Sequence, residues 1–345
     1  MKILNVSYAL PGKVVSNENL IDEIVETNRS HLSSRELQIL VGRMKRFFRM
    51  SGTVIRYHRG IGERSLDFAM RAGREALEKA GARPEDVDLL IYAGVGRGWM
   101  EPATAYLFQS ELGLKFATCF DVLDACASWI RSLAIAKSFL DQKIYKLIMI
   151  LNCEFSFREY ANFEFKSTKD LENYFSAFTI GEAATATLLT SDGANDDSLF
   201  SFRTWGEMHG LCKIPLPNVQ DFTPRNASDG LKPMSFFTMP GELVSFTVNK
   251  LVGHFNETQA IASRLHDIVI GHAVSVPSHS TVIRLLNLDP SRTFETHSRF
   301  GNTVSASLPL AIAVAEAEGR LERGMRVLLL MGSAGVSTAI GSFTY

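Results

Sequence analysis

Phe120-Asp121-Val122-Leu123-Asp124-Ala125-Cys126-Ala127-Ser128-Trp129 is the stretch on which the fold turns. The residues from Cys119 to Leu123 form a short buried strand by their pattern. The residues from Ala127 to Leu140 have the pattern of a helix. Cys126 thus stands at a strand-to-helix turn, near a helix N-terminus. Free backbone N–H groups and the positive end of a helix dipole favour thiolate over thiol there. A thiolate so placed attacks acyl groups, and nearby N–H groups hold the oxyanion that follows. Taken alone, a free cysteine is more often an inert core residue.

Working outward, strand and helix alternate on both sides. Before the turn come a strand at Ile3–Ala9, a helix from Ser65 stopped by Gly81, a strand at Val87–Ala93 and a helix at Pro102–Leu112. After it come strands at Ile144–Leu151 and Ala183–Leu189. The second part repeats the order, with helices at Leu243–Leu265, Ser278–Leu286 and Val304–Glu318 and strands at Asp267–Gly271 and Val327–Met331, then a last strand to Phe343. Repeated βαβ order predicts an α/β protein whose parallel or mixed sheets are covered by helices. Two similar halves, 1–192 and 193–345, suggest an internal duplication. The stretches between Phe155 and Phe178 and between Gly206 and Met239 lack periodicity and read as long loops walling a binding site. For their aromatics, among them Phe155, Phe157, Phe163, Phe165, Phe236 and Phe237, an acyl channel and ordinary core both stay open.

The chain has 345 residues, 46% of them hydrophobic, and a formal net charge of −1. That suits a globular protein with a sizeable core and argues against a nucleic-acid or acidic-membrane partner. No apolar run is long enough to span a bilayer. Met1-Lys2-Ile3-Leu4-Asn5 lacks the features of a signal peptide, so a cytoplasmic location is expected. Cys119, Cys126, Cys153 and Cys212 show no zinc-like spacing and read as reduced thiols.

Three further features sit at the C-terminal ends of strands or at helix entries. His272 follows the apolar run Asp267-Ile268-Val269-Ile270-Gly271, at the crevice end of a strand. A satisfied core imidazole is the plain alternative. Gly301-Asn302-Thr303-Val304-Ser305 enters a helix, where Asn302 would ordinarily be an N-cap. Gly332-Ser333-Ala334-Gly335 is a small-residue turn that lets backbone N–H groups approach a ligand. It lacks the Lys-Ser/Thr ending of a phosphate loop.

In this order and spacing, Cys126, His272, Asn302 and the Gly332 turn resemble the thiolase superfamily, and within it the 3-oxoacyl-ACP synthase III (KAS III) group. The opening Tyr8-Ala9-Leu10-Pro11-Gly12-Lys13-Val14-Val15-Ser16-Asn17-Glu18 and the run Phe300-Gly301-Asn302-Thr303-Val304-Ser305-Ala306-Ser307-Leu308-Pro309 carry the likeness further. The resemblance implies a five-layered αβαβα fold built from two βαβαβαββ halves. It implies a Claisen condensation in which Cys126 takes an acyl group from a thioester. The backbone of Cys126 and of the turn at Gly332, Ser333 and Gly335 would hold the oxyanion. His272 and Asn302 would stabilise the enolate of a second acyl or malonyl thioester, with His272 as the neutral, donating imidazole. It further implies a homodimer, acyl-CoA or acyl-ACP substrates, an acyl carrier protein as partner, no metal and no bound cofactor.

The chain departs from the housekeeping pattern in three places. His272-Ala273-Val274-Ser275 is nearer to the OleA-type acyl-CoA condensing enzymes. Val41-Gly42-Arg43-Met44-Lys45-Arg46-Phe47-Phe48-Arg49 stands where housekeeping members stack adenine. Its Arg43, Arg46 and Arg49 are candidates for phosphate or carrier-protein binding, or simply a solvated helix face. Glu101, in Trp99-Met100-Glu101-Pro102, matches an OleA-type glutamate proposed as a base across the dimer interface. Its plain alternative is a first-turn helix carboxylate. A base is what a condensation without decarboxylation needs. An acyltransferase using an O or N acceptor and a non-catalytic partner subunit are the competing functions on the same fold.

Overall fold

The computed structural model describes residues 1–191, 196–223, 231–272 and 274–345. The expected boundary between residues 192 and 193 falls outside them. The chain opens with β1 (Lys2–Ala9) and β2 (Lys13–Ser16), then α1 (Asn17–Asn28) and α2 (Ser34–Ser51), and β3 (Ile55–His58) pairs back onto β2. Ser16 and Ser33 start the two helices with reciprocal capping boxes. Next come α3 (Ser65–Ala80), β4 (Leu89–Ala93), α4 (Ala105–Glu111), β5 (Thr118–Val122), α5 (Ser128–Asp141) and β6 (Leu147–Glu154). The short helices α6 (Phe157–Tyr160) and α7 (Leu171–Tyr174) lead to β7 (Ala183–Thr190).

The second half runs through β8 (Leu199–Thr204), β9 (Cys212–Lys213), β10 (Phe237–Thr238), α8 (Pro240–Glu257), α9 (Gln259–Ala262), β11 (Ile268–Gly271) and α10 (Val276–Leu285). It ends with β12 (Thr293–Phe294), α11 (His297–Phe300), α12 (Ser307–Ala317), β13 (Arg326–Ser333) and β14 (Ser337–Thr344).

The two main sheets have the orders β1-β7-β6-β4-β5 and β12-β11-β13-β14-β8. Read from β8, the second order reproduces the first. In each, two antiparallel pairings are followed by two parallel ones. The duplication suspected from the order of elements is thus present in the topology.

Packing stacks these parts in five layers. Helices α5 and α12 lie between the sheets in one core with Ile91 and Ile150 on one side and Ile270 and Leu329 on the other. Nine of the α12 residues, Ser307 to Ala315, are buried, so its sequence is apolar around the whole helix. Trp129 on α5 is also buried, and its indole N–H donates to Thr187 Oγ1 at 3.0 Å. α3 and α4 cover the outer face of the first sheet, and α8 and α10 that of the second. This is the αβαβα order expected of the thiolase fold. Among the described residues no helix is long and apolar enough to cross a membrane.

Some boundaries differ from expectation for physical reasons. α4 begins at Ala105 and not at Pro102, because the Asp121 carboxylate accepts the N–H groups of Thr104 and Ala105 at 2.8 and 2.9 Å. The long helix expected to reach Leu265 stops at Glu257. There Thr258 leaves helical geometry (ψ 66°) and its hydroxyl donates back to the His254 carbonyl at 2.7 Å.

Three buried histidines make the fold acid-sensitive. Burial holds His58, His254 and His266 each at about 4, below the ordinary 6.5. The unfolded chain takes up protons at these sites once pH drops below about 6.5, and the folded chain does not until about 4. Their contribution to stability is complete above 6.5 and is lost as pH falls toward 4. The unfolding temperature is expected to drop between pH 7 and pH 5 in a calorimetric series. An unchanged value would contradict these assignments.

Candidate active site

The nucleophile turn is built from both halves. β5 ends at Val122, and a single 3-10 turn, Ala125–Ala127, precedes α5. Ala125 takes a positive φ of 46°. Ser128 holds this turn from within, accepting the Asp124 N–H and donating to the Ala125 carbonyl, both at 2.8 Å. Ser333, at the end of β13, holds it from the other half. Its hydroxyl accepts the Ala127 N–H and donates to the Asp124 carbonyl, both at 3.2 Å.

Cys126 is not the preformed thiolate expected at a helix start. Its thiol is pushed well above the ordinary range, chiefly by burial, and then by its neighbours Cys212, Glu154 and Asp124. The 3-10 turn sets Cys126 two residues ahead of the first residue of α5, and the dipole effect falls off within the first turn. Desolvation wins over it, and the resting group is a neutral thiol.

His272 follows β11, with its N–H donating to the Leu330 carbonyl at 2.8 Å. Both ring nitrogens are buried and have no hydrogen-bond partner among the described residues. Burial, then the neighbouring His297 and His279, depress it to about 3. The imidazole is neutral at any working pH, so one nitrogen carries a proton to donate and the other a lone pair. A buried polar ring left without partners is costly in a merely structural role.

Asn302 is fixed by its own backbone and side chain. Its N–H donates to the Thr179 carbonyl at 2.8 Å, and its carbonyl accepts the Gly181 N–H at 3.1 Å. This approach needs glycine on both sides. A side chain on Gly181 would lie 1.9 Å from the Phe300 carbonyl oxygen, and one on Gly301 (φ 69°) 2.5 Å from the Thr179 oxygen. Asn302 Oδ1 accepts the Val304 N–H at 2.9 Å. That bond commits the oxygen and leaves the amide NH2, which has no partner among the described residues, as a donor. Val304 itself takes a positive φ of 52°, a strained conformation for a β-branched residue that costs of order 1–3 kcal/mol.

One cavity of about 950 Å3 brings these groups together. Cys126, His272, Asn302, Gly332, Ser333 and Ala334 line it. Its other walls are largely apolar, from Val95, Ile180, Phe236, Val304 and the α8 residues Leu243, Val244, Val248 and Leu251. Gly335 is not in the lining, so the residues of the β13–β14 turn at the cavity are Gly332 to Ala334. Of the loop aromatics, Phe236 reaches the cavity. Phe155 and Phe165 are core, Phe163 packs on the same core as Phe165, Phe237 does not line the cavity, and the side chain of Phe157 lies outside the described residues.

The remaining candidates stand apart. Glu101 is exposed and does not line the cavity, so one chain does not bring it to Cys126. It shares a stretch with the exposed Trp99 and Met100. Arg43 is occupied by the Thr168 carbonyl at 2.8 Å and Glu172 at 3.4 Å. Arg46 and Arg49 are exposed on α2, the helix whose Phe47 and Met50 line the cavity. Two residues near the site escaped the sequence. Cys212 lines the cavity from a stretch without periodicity. Glu154 is wholly buried at the end of β6. Its only signal was an ionisable residue closing an apolar run.

Comparison with known proteins agrees with this geometry. Residues 258–345 match the family model "3-Oxoacyl-[acyl-carrier-protein (ACP)] synthase III C terminal". A β-ketoacyl-[acyl-carrier-protein] synthase III of Symbiobacterium thermophilum is 27% identical over 97% of this chain and 94% of its own length. One from Methylococcus capsulatus is 27% identical over 95% and 94%. The crystal structure of 3-oxoacyl-[acyl-carrier-protein] synthase III from Aquifex aeolicus superposes with a TM-score of 0.81, at 23% identity, over 100% of this chain and 99% of that one. A Xanthomonas campestris OleA structure with bound lauric acid and lauroyl-CoA superposes with a TM-score of 0.83, at 19% identity, over 99% and 98%. With the duplicated sheets and a cysteine, a histidine and an asparagine meeting in one cavity, these likenesses give the chain the thiolase fold and a similarity to the KAS III enzymes along nearly its whole length.

Proposed function

We propose that the protein is an acyl-thioester condensing enzyme of the β-ketoacyl synthase III type. The observation that carries this is the meeting of Cys126, His272 and Asn302 in one largely apolar cavity, with the imidazole neutral and the amide nitrogen left as a donor. In the first half-reaction Cys126 Sγ attacks the carbonyl carbon of an acyl thioester. A new C–S bond forms, the old one breaks, and the leaving thiol departs with a proton. Because the resting Cys126 is protonated, its proton must leave as the bond forms. The proton then passes to the departing sulfur.

In the second half-reaction the carbonyl of another thioester accepts hydrogen bonds from the His272 ring N–H and Asn302 Nδ2. These donors stabilise the negative oxygen of the enolate. The enolate carbon attacks the acyl carbon, the Cys126 C–S bond breaks, and a β-ketoacyl thioester leaves. The names of the relatives support coenzyme A or carrier-protein thioesters as substrates, and the apolar walls suit an aliphatic chain. Arg46 and Arg49 are proposed to meet the phosphates of the carrier, Gly332, Ser333 and Ala334 to border the oxyanion, and a homodimer in the cytoplasm to be the working form. The test is incubation with a series of acyl-CoAs, with and without a malonyl thioester, followed by intact-protein mass and product analysis. No acyl adduct and no β-keto product from any of them would sink the proposal.

Glu101 decides how the enolate arises. A malonyl group yields it by losing CO2, whereas a plain acyl thioester needs a base for its α-proton. Its exposure outside its own cavity supports a reading in which it serves the site of a second copy. Glu101→Gln is expected to keep decarboxylative condensation and to slow condensation of plain acyl thioesters by about 10²–10⁴. Equal effects on both, in parallel assays, would remove Glu101 from the mechanism.

A further inference from the structure

Glu154 is wholly buried and has no part in the chemistry above. Among the described residues no ion pair reaches it. Its side chain is instead held by donors from two loops. Oε1 accepts the Val95 N–H at 3.0 Å and faces Ser305 Oγ at 2.5 Å. Oε2 accepts the Gly96 N–H at 3.0 Å. The loop closes so tightly over it that a side chain on Gly94 would lie 3.0 Å from Oε1, and one on Gly96 3.3 Å from Oε2.

Both loops end at the cavity. Val95 lines it beside Cys126, and Val304 packs in the same apolar cluster as both. Ser305 follows Val304, the strained residue whose N–H is bound by Asn302 Oδ1. Ser305 Oγ is held in turn by Asn152 Nδ2 at 3.0 Å, and it lies 2.9 Å from the Ala93 carbonyl. The turn is thus anchored on its near side by Asn302, through Thr179 and Gly181, and on its far side by Ser305, through Glu154. A strained conformation persists only where its surroundings over-determine it.

We propose that Glu154 is a positioning residue: through Ser305 it holds the Val304 turn, and so keeps the Asn302 amide nitrogen presented to the second thioester. This role rests on the condensing chemistry proposed above. It places the effect of Glu154 in the second half-reaction, where Asn302 acts, and not in the loading of Cys126. The carboxyl also touches the first half indirectly. Burial raises its pKa, and its charge raises that of Cys126, so a neutral replacement does not weaken the nucleophile.

The experiment uses Glu154→Gln, Ser305→Ala and Ser305→Thr in the full chain, with single-turnover loading of Cys126 by acyl-CoA followed by intact mass, and steady-state condensation. Ser305→Ala removes one hydroxyl and carries the test if Glu154→Gln does not fold. Loading is expected to stay within about threefold of the parent, while condensation kcat falls by roughly tenfold or more with little change in KM. The double variant Glu154→Gln/Ser305→Ala is expected to be no worse than the poorer single one, since both break one link. Ser305→Thr, which keeps the hydroxyl, is expected to recover most of kcat. Unchanged condensation, or loading and condensation falling together, would overturn the positioning role. A parent protein that never loads Cys126 would overturn the condensing assignment instead, which separates the two failures.

Discussion

Replacing Cys126 by alanine is expected to abolish both the acyl-enzyme and turnover. Removing the nucleophile of a comparable covalent catalyst costs about a million-fold in kcat, because the residues that assist it have nothing left to assist. The cavity holds a second thiol, Cys212, so the point needs a direct measurement. Cys212 is itself pushed up to about 12 by burial, and it is no better a nucleophile than Cys126 at rest. What distinguishes Cys126 is its surroundings: a turn braced by Ser128 and Ser333. Intact mass after exposure to an acyl-CoA should show one acyl adduct on the parent protein and none on Cys126→Ala. An adduct that persists in the variant would transfer the nucleophile role elsewhere.

Asn302→Asp is expected to separate the two half-reactions. The carboxylate keeps an oxygen to accept the Val304 N–H, so the turn at positive φ keeps its tie. The NH2 donor is gone, and a negative charge stands where the enolate oxygen would develop. Losing one such donor costs about 10²–10³ in rate, on the order of 2.7–4 kcal/mol, and the added charge makes the loss larger. Loading of Cys126 should change far less, because that step does not use the Asn302 amide. Parallel measurement of adduct formation and β-keto product checks this. Equal loss in both halves would place Asn302 in acylation.

Local pattern made much of this site legible. Cys126 at a strand-to-helix turn and His272 at the end of an apolar strand are statements about neighbouring residues, and both residues line the cavity. What escaped depends on groups far apart in the chain. Asp121 sets the start of α4 from a strand 16 or 17 residues downstream. The charge state of Cys126 reverses because desolvation, a property of the packed interior, outweighs the helix end. Nothing around Glu154 in the sequence announces its bond to Ser305, 151 residues later. The helix α1 was missed because half of its face is polar and its start is marked only by a capping box.

The serine brace on the nucleophile turn has a consequence for how the protein comes into being. Ser333 lies 206 residues after Ala127, the N–H that it receives, and Asn302 is held by Thr179 and Gly181 of the opposite half. During synthesis the Cys126 segment emerges long before either partner. Until β13 and β14 close, the segment lacks its outer brace and the His272–Asn302 pair. The site is therefore complete only once the last sheet has closed.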